Sequence, residues 1–318
     1  MLTAAEIHRR RAAADRRRRR RRAAGGALAA VALAVLLVVL VTRGATPTPS
    51  RHAPAVDRVA VANPHARVAR AVAAAPRPPA LSVAAAMPGA HRAPHEAVPI
   101  LMYHVIGYAP PDARLPSLWV TPAQFRADVR ALRDGDFHGV TLRQVWDAWH
   151  HAGKLPHKPV VFSFDDGYEG QVRYALPTLR RAGWPGVLNL VLHNLPDLGG
   201  TRGVKRLIGA GWEIDSHTLT HPDLTTLPDA DLRRELHRSR ARITRLVGQR
   251  ASFFCYPSGR YDARVIKAVR DAGYLAATTT APGYATPTAD PFALARVRVD
   301  GGMRTAALMQ RLRDLRGS

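Results

Sequence analysis

The stretch VVFSFDDG, Val160–Gly167, decides how the folded part of this chain is built. Val160, Val161, Phe162 and Phe164 form an apolar run without polar alternation, which reads as a strand buried on both faces, as in a parallel sheet. Gly167 reads as the sharp turn that ends it. Asp165 and Asp166 therefore fall at the carboxyl end of a buried strand. Adjacent carboxylates repel, so a cation or a shared proton is expected between or beside them.

Outward from this stretch, strand and helix patterns alternate. VPILMYHVI, Val98–Ile106, reads as a buried strand, and TPAQFRADVRALRDG as a helix with Thr121 as N-cap, Pro122 at its first position and Gln124 completing a capping box. Phe125, Val129 and Leu132 share one face of it. A short GV precedes a second helix capped by Thr141. After the aspartates come a helix over 169–182, a strand in GVLNLVLHN, a helix in RGVKRLIGAG and a strand in WEIDSHTLTH. A long amphipathic helix (DADLRRELHRSRARITRLVG), the strand ASFFCYP, the helix YDARVIKAVRDAG and the strands YLAATTT and FALARVRV complete the series. Six or seven such units mean an α/β fold on a parallel sheet and favour closure into a barrel, with sites at the carboxyl ends of strands.

Charge divides the chain. Of its 318 residues, the first 22 hold ten arginines against Glu6 and Asp15, including the run Arg16–Arg22. A basic block like this suits a nucleic-acid arm, but its sequel favours a membrane. Residues 25–42, GGALAAVALAVLLVVLVT, carry no charge and as a helix span roughly 27 Å, about the hydrocarbon thickness of a bilayer. The arginines before it place the N-terminus in the cytoplasm. The run exceeds a signal-peptide core of about 7–15 residues, so a retained single-pass anchor is expected, with a secreted domain if residues 1–42 are removed. Residues 43–95, rich in Ala, Pro and Arg, read as a disordered tether. The divisions are thus a basic tail, 1–24, an anchor, 25–42, a linker, 43–95, and a folded domain, 96–318. No nucleic-acid partner is expected. Cys255 is the only cysteine, so no intrachain disulfide forms, and its apolar run SFFCYP marks it as a buried small hydrophobe.

Three candidate clusters fall at strand ends: Asp165 with Asp166, His217 with His221 in HTLTH, and His104. In an extended strand, residues four apart lie roughly 13 Å from each other and cannot share an ion; in a helix-like turn they are neighbours. Two solvated loop histidines are the plain alternative. A carboxylate with two histidines is, however, a common hydrolytic metal set that leaves positions open for water and substrate.

SFDDG (Ser163–Gly167) and HTLTH (His217–His221), about fifty residues apart, resemble the first and second motifs of the polysaccharide deacetylase family, also called the NodB-homology or carbohydrate esterase 4 group. The resemblance spans about 97–300 and implies a distorted (β/α)7-type barrel and metal-dependent removal of acetyl groups from an N-acetylated envelope or matrix polysaccharide. By position it implies Asp165 as catalytic base and Asp166, His217 and His221 as ligands of a divalent metal, zinc first, with cobalt, nickel and manganese as alternatives. The third motif, R-x-P-F/Y-G, is met by CYPSG, Cys255–Gly259, with cysteine in place of arginine and Ser258 in place of the aromatic. That leaves the orientation of the base without its usual support. It implies Tyr256, Pro257 and Ser258 as oxyanion or substrate contacts, with the Ser258 N–H facing the oxyanion. The usual acid histidine near the C-terminus is missing, since the last histidine is His237. The branch acting on poly-N-acetylglucosamine is circularly permuted, with its acid in a Y-H motif on the first strand. LMYHVI fits that pattern, which implies His104 as the acid. Acetylated xylan or another O-acetyl ester is the nearest alternative substrate, and a glycan-binding module that has lost catalysis is the alternative of another class.

Overall fold

A computed structural model of the chain describes residues 89–317. Among these residues there are ten strands: β1 (Ile100–Tyr103), β2 (Val105–Ile106), β3 (Trp119–Val120), β4 (His138–Val140), β5 (Pro159–Asp166), β6 (Val187–Leu190), β7 (Glu213–Ser216), β8 (Phe253–Cys255), β9 (Ala276–Pro282) and β10 (Leu294–Arg298). The α-helices among the described residues are α1 (Pro122–Asp134), α2 (Leu142–His150), α3 (Leu176–Ala182), α4 (Gly200–Ile208), α5 (Asp229–Val247), α6 (Ala263–Asp271) and α7 (Thr305–Asp314).

Parallel pairing runs β5–β6–β7–β8–β9–β10–β1, and β1 returns to β5, which closes a seven-stranded barrel. One edge of β5 is shared: β4 pairs with its first three residues, and β1 with Val161–Phe164. All eight residues of β5 are buried, as the unbroken apolar run predicts. Its alternate residues face two cores. Val160, Phe162 and Phe164 pack outward with Tyr103 and Phe125, in a group of rings 5.2–6.3 Å apart. Val161 joins Ile100, Val187, Phe253, Ala276 and Leu294 in a second cluster that plugs the barrel. Above that plug the interior turns polar, and there the site lies. Deleting one ring of the outer cluster, as in Phe162→Ala, costs about 3–5 kcal/mol by the usual cost of emptying a core position.

Several local expectations are corrected. Thr121 caps α1 by accepting from the Gln124 N–H at 3.1 Å, but the Gln124 side chain reaches Asp300 and Gly302 instead of closing a capping box; the full box forms at Thr141 and Gln144. The strand expected over Val98–Ile106 breaks at His104, and β2 leaves the barrel to pair with β3. The helix expected over 169–182 is present, with a wider turn at Gln171–Ala175 inside it. Helix α7 went unread in the sequence. Packing begins a little before Glu96: His91 bridges to Leu155 and Ala93 is buried. The tail, the anchor segment 25–42 and linker residues 43–88 lie outside the described residues. Among the described residues, no helix is long and apolar enough to cross a membrane.

Candidate active site

Each sequence-predicted acid or imidazole emerges from the carboxyl end of a barrel strand. Asp165 and Asp166 end β5, His104 follows β1, His217 follows β7, and Tyr256–Ser258 follow β8. Gln171, fully buried, ties two of these ends together: its amide donates to the carbonyl of His104 at 3.0 Å and to that of Asp165 at 2.8 Å.

The backbone is bent to make the side chains converge. Six non-glycine residues among those described adopt left-handed φ, and four are at this site: Asp166 (75°), Thr218 (73°), His221 (61°) and Ser258 (55°). Each such conformation costs of order 1–3 kcal/mol and persists only where the surroundings impose it. At β5 the bend sends the two carboxylates apart, Asp165 into the barrel and Asp166 toward the histidines. Gly167 (φ 100°) carries the chain onward. The bend at Thr218 and His221 folds HTLTH into the turn that the i, i+4 spacing requires.

His217 Nε2 and His221 Nε2 each lie 3.5 Å from the same oxygen, Asp166 Oδ1. Bonds of about 2.0–2.1 Å at tetrahedral angles put ligand atoms about 3.3 Å apart, so the three side chains fit one zinc-class ion. His217 Nδ1 is 2.7 Å from the Cys255 carbonyl, which accepts its proton and leaves Nε2 as a lone-pair donor. Burial and the neighbouring His217 push His221 below the ordinary imidazole value, against the pull of Asp166, which favours the neutral ligand form. Asp165, His217 and Cys255 form a second close trio. It suits an ion poorly, because both Asp165 oxygens are engaged by an arginine and burial pushes the Cys255 thiol up, away from the thiolate that metals take.

That arginine is Arg296 of β10, which was not singled out in the sequence. It is 1 % exposed and grips Asp165 with two parallel bonds, Nη1 to Oδ1 and Nη2 to Oδ2, both 2.8 Å. Its remaining donors reach Thr279 O and Ser163 Oγ, so the guanidinium is itself fixed. Asn189 Nδ2 adds a 2.7 Å bond to Asp165 Oδ1. Burial alone would raise the Asp165 carboxyl, but Arg296 outweighs it and holds the group well below the usual carboxylate range. The orienting role expected of motif three is thus filled from another strand, with Cys255 Sγ standing 3.8 Å from Asp165 Oδ2.

His104 Nε2 lies 3.7 Å from Asp165 Oδ2, with the ring partly open to solvent. Burial lowers its pKa below the ordinary value, partly offset by Asp165 and Asp166. Ser258 is exposed, and among the described residues its N–H makes no hydrogen bond, which leaves it free to serve a substrate oxygen. Tyr256 is a correction: its ring is buried in a core cluster and its hydroxyl donates to Phe292 O at 3.0 Å, so the phenol offers nothing to a substrate. Tyr168, also unread, stands near Asp166, and burial and that carboxylate push the phenol up.

A cavity of about 220 Å³ lies at the opposite end of the barrel, lined in part by Pro99, Pro159 and Lys158 at strand starts.

Residues 152–277 match the family model described as polysaccharide deacetylase. The chain is 30% identical over 216 residues to YxkH of Bacillus subtilis, assigned as a polysaccharide deacetylase, covering 66% of this chain and 74% of that protein. It is 33% identical over 95 residues to the poly-beta-1,6-N-acetyl-D-glucosamine N-deacetylase of Escherichia coli, 30% of this chain but 14% of that protein. The fold resembles that of the Streptococcus pyogenes deacetylase PplD, with a TM-score of 0.62 at 24% identity, covering 68% of this chain and 98% of that one.

Proposed function

This chain belongs to the polysaccharide deacetylase (NodB-homology, carbohydrate esterase 4) family, and from that premise we propose that it removes acetyl groups hydrolytically from an N-acetylated envelope or matrix glycan, a polymer of N-acetylglucosamine. The observation that carries this is the juxtaposition of two carboxylates with distinct tasks: Asp165 held by Arg296 and facing His104, and Asp166 facing His217 and His221.

Asp166, His217 and His221 would hold a divalent ion, zinc by the character of the donor set, which supplies a water of near-neutral pKa and a polarised acetyl carbonyl. Asp165 accepts the proton released as water attacks the acetyl carbon. A carboxylate held this firmly is a weak base, which suits a water already acidified. The Ser258 N–H donates to the oxygen that becomes negative. His104 delivers a proton to the departing nitrogen, because an amine leaves only when protonated. The carbon–nitrogen bond breaks, and acetate and a free amine result.

The position of His104 at the carboxyl end of the first strand supports placement in the permuted branch, as does the partial match to the Escherichia coli enzyme. An O-acetyl esterase would use the same ligands and base but would need the acid less. The reading of an inactive binding module rested on the missing motif arginine, and Arg296 removes that ground. Attachment outside the cytoplasm through residues 25–42 belongs to the same proposal and rests on the sequence. Acetate release from a panel of N- and O-acetylated glycans by the full chain tests the substrate class: release from N-acetylglucosamine polymers is expected, and release from O-acetyl esters alone would overturn it.

A further inference from the structure

Helix α5 lies behind the His217–His221 turn and sends one acidic side chain into it. Glu235 is 5 % exposed, although its helix neighbours include Arg233, Arg234 and Arg238. Arg234 pairs with Asp231, and among the described residues no basic side chain comes within 4.0 Å of Glu235. Its three partners all belong to the turn. Oε2 accepts from the N–H of Leu219 at 2.8 Å and of Thr220 at 3.1 Å, and Oε1 accepts from the Thr220 hydroxyl at 2.9 Å.

A buried carboxylate without a counter-cation is unfavourable unless its lone pairs are filled. A turn with two left-handed non-glycine residues is unfavourable unless something imposes it. Each feature here supports the other. The turn is held on its far side by the carbonyls of Thr218 and Leu219, which accept from the N–H groups of Leu192 and His193. Within it, Thr218 Oγ1 accepts from the His221 N–H at 2.9 Å. On the helix side, the three bonds all come from one side chain. The two peptide units Glu235 holds lie between His217 and His221.

We propose that Glu235 is a positioning residue for the metal site, fixing the two imidazoles in ligating geometry and so setting metal affinity. The proposal rests on reading Asp166, His217 and His221 as the ligands. Supports one step removed from a metal typically govern its affinity by 10–100-fold.

The test is a Co²⁺ titration of the chelator-stripped full chain, followed by the visible absorption of bound cobalt. Glu235→Gln keeps the size of the side chain but loses the charge and one acceptor. It should weaken Co²⁺ binding about 10–100-fold and alter the absorption band, in protein that still unfolds cooperatively. Thr220→Val, which removes one bond of three, should weaken binding by less, about 2–10-fold. A purely structural role would lower the melting temperature and leave the cobalt affinity and band unchanged. Wild-type protein that binds cobalt, with E235Q binding within twofold of it, overturns the proposal alone. Wild-type protein that binds no cobalt overturns the ligand set and the proposal together. Should E235Q not fold, unchanged affinity in T220V overturns the proposal.

Discussion

Arg296, on the last strand of the barrel, holds both oxygens of Asp165 at 2.8 Å although 131 residues separate them in sequence. Removing one partner of a buried ion pair costs about 3–5 kcal/mol, because the other charge stays buried and uncompensated. Arg296→Ala should therefore lose about that much stability in urea unfolding and should release almost no acetate, its Asp165 having been driven toward the protonated form. Adding Cys255→Arg to that variant places a guanidinium at the strand position where the family's third motif carries it. Acetate release above that of R296A is expected. No recovery, in protein that folds, would mean that the place of the arginine matters and not only its charge.

Burial lowers the His104 imidazole against the pull of two carboxylates. As the acid it must carry a proton, and the protonated fraction falls as pH rises through the folded pKa. The kcat/KM for an N-acetyl substrate should decline on the alkaline side with a midpoint below about 6.5, the ordinary imidazole value. An activated acetyl ester, whose leaving group needs no proton, should lack that decline, and His104→Ala should damage amide cleavage far more than ester cleavage. Equal losses on both substrates would remove His104 from the role.

A third prediction concerns stability alone. Asp128 of α1 is 1 % exposed, and burial raises its carboxyl to about 6 despite hydrogen bonds from Thr305 and Tyr103. Between its unfolded value of about 3.9 and its folded value, the native state binds a proton that the unfolded chain does not. Its contribution is thus fully present below the unfolded value and is lost as pH rises through about 6. Asp128→Asn removes this dependence while keeping an acceptor for Thr305. Relative to wild type, the variant should gain about 1–2 kcal/mol more at pH 8 than at pH 5 in denaturant unfolding. Parallel pH profiles would contradict it.

The motif turn after β8 gives a fourth prediction. Gly259 has φ 68°, and a Cβ there would collide with the side chain of Thr280. Gly259→Ala should disturb the Ser258 N–H and lower acetate release. Adding Thr280→Gly relieves the clash but not the strained φ and should recover part of it. If G259A is as active as wild type, the placement of that N–H is unimportant.

How much of this was legible depended on how local the cause was. The run Val160–Phe164 into two aspartates and a glycine gave strand, turn and site position at once, because all three causes lie within eight residues. The spacing of His217 and His221 gave a conditional reading, since only a turn unites them, and that turn is held by Glu235 and by the backbone of Leu192 and His193 just after β6. Arg296 was not legible. Nothing local in LARVRV sets Arg296 apart from Arg298, and only closure of β10 against β1 brings Arg296 to Asp165. Gln171 and Asn189 escaped for the same reason. The Tyr256 ring was misjudged because a motif position does not say which way a side chain leaves the backbone.

The proposed deacetylation requires one divalent ion held by Asp166, His217 and His221. The most direct measurement is acetate release from an N-acetylglucosamine polymer by the full chain before chelation, after it, and after stoichiometric zinc is returned, with Asp166→Ala alongside. Release should vanish on chelation, return with zinc in the wild type and stay absent in D166A. Undiminished release from the metal-stripped protein, or from D166A, would contradict the account.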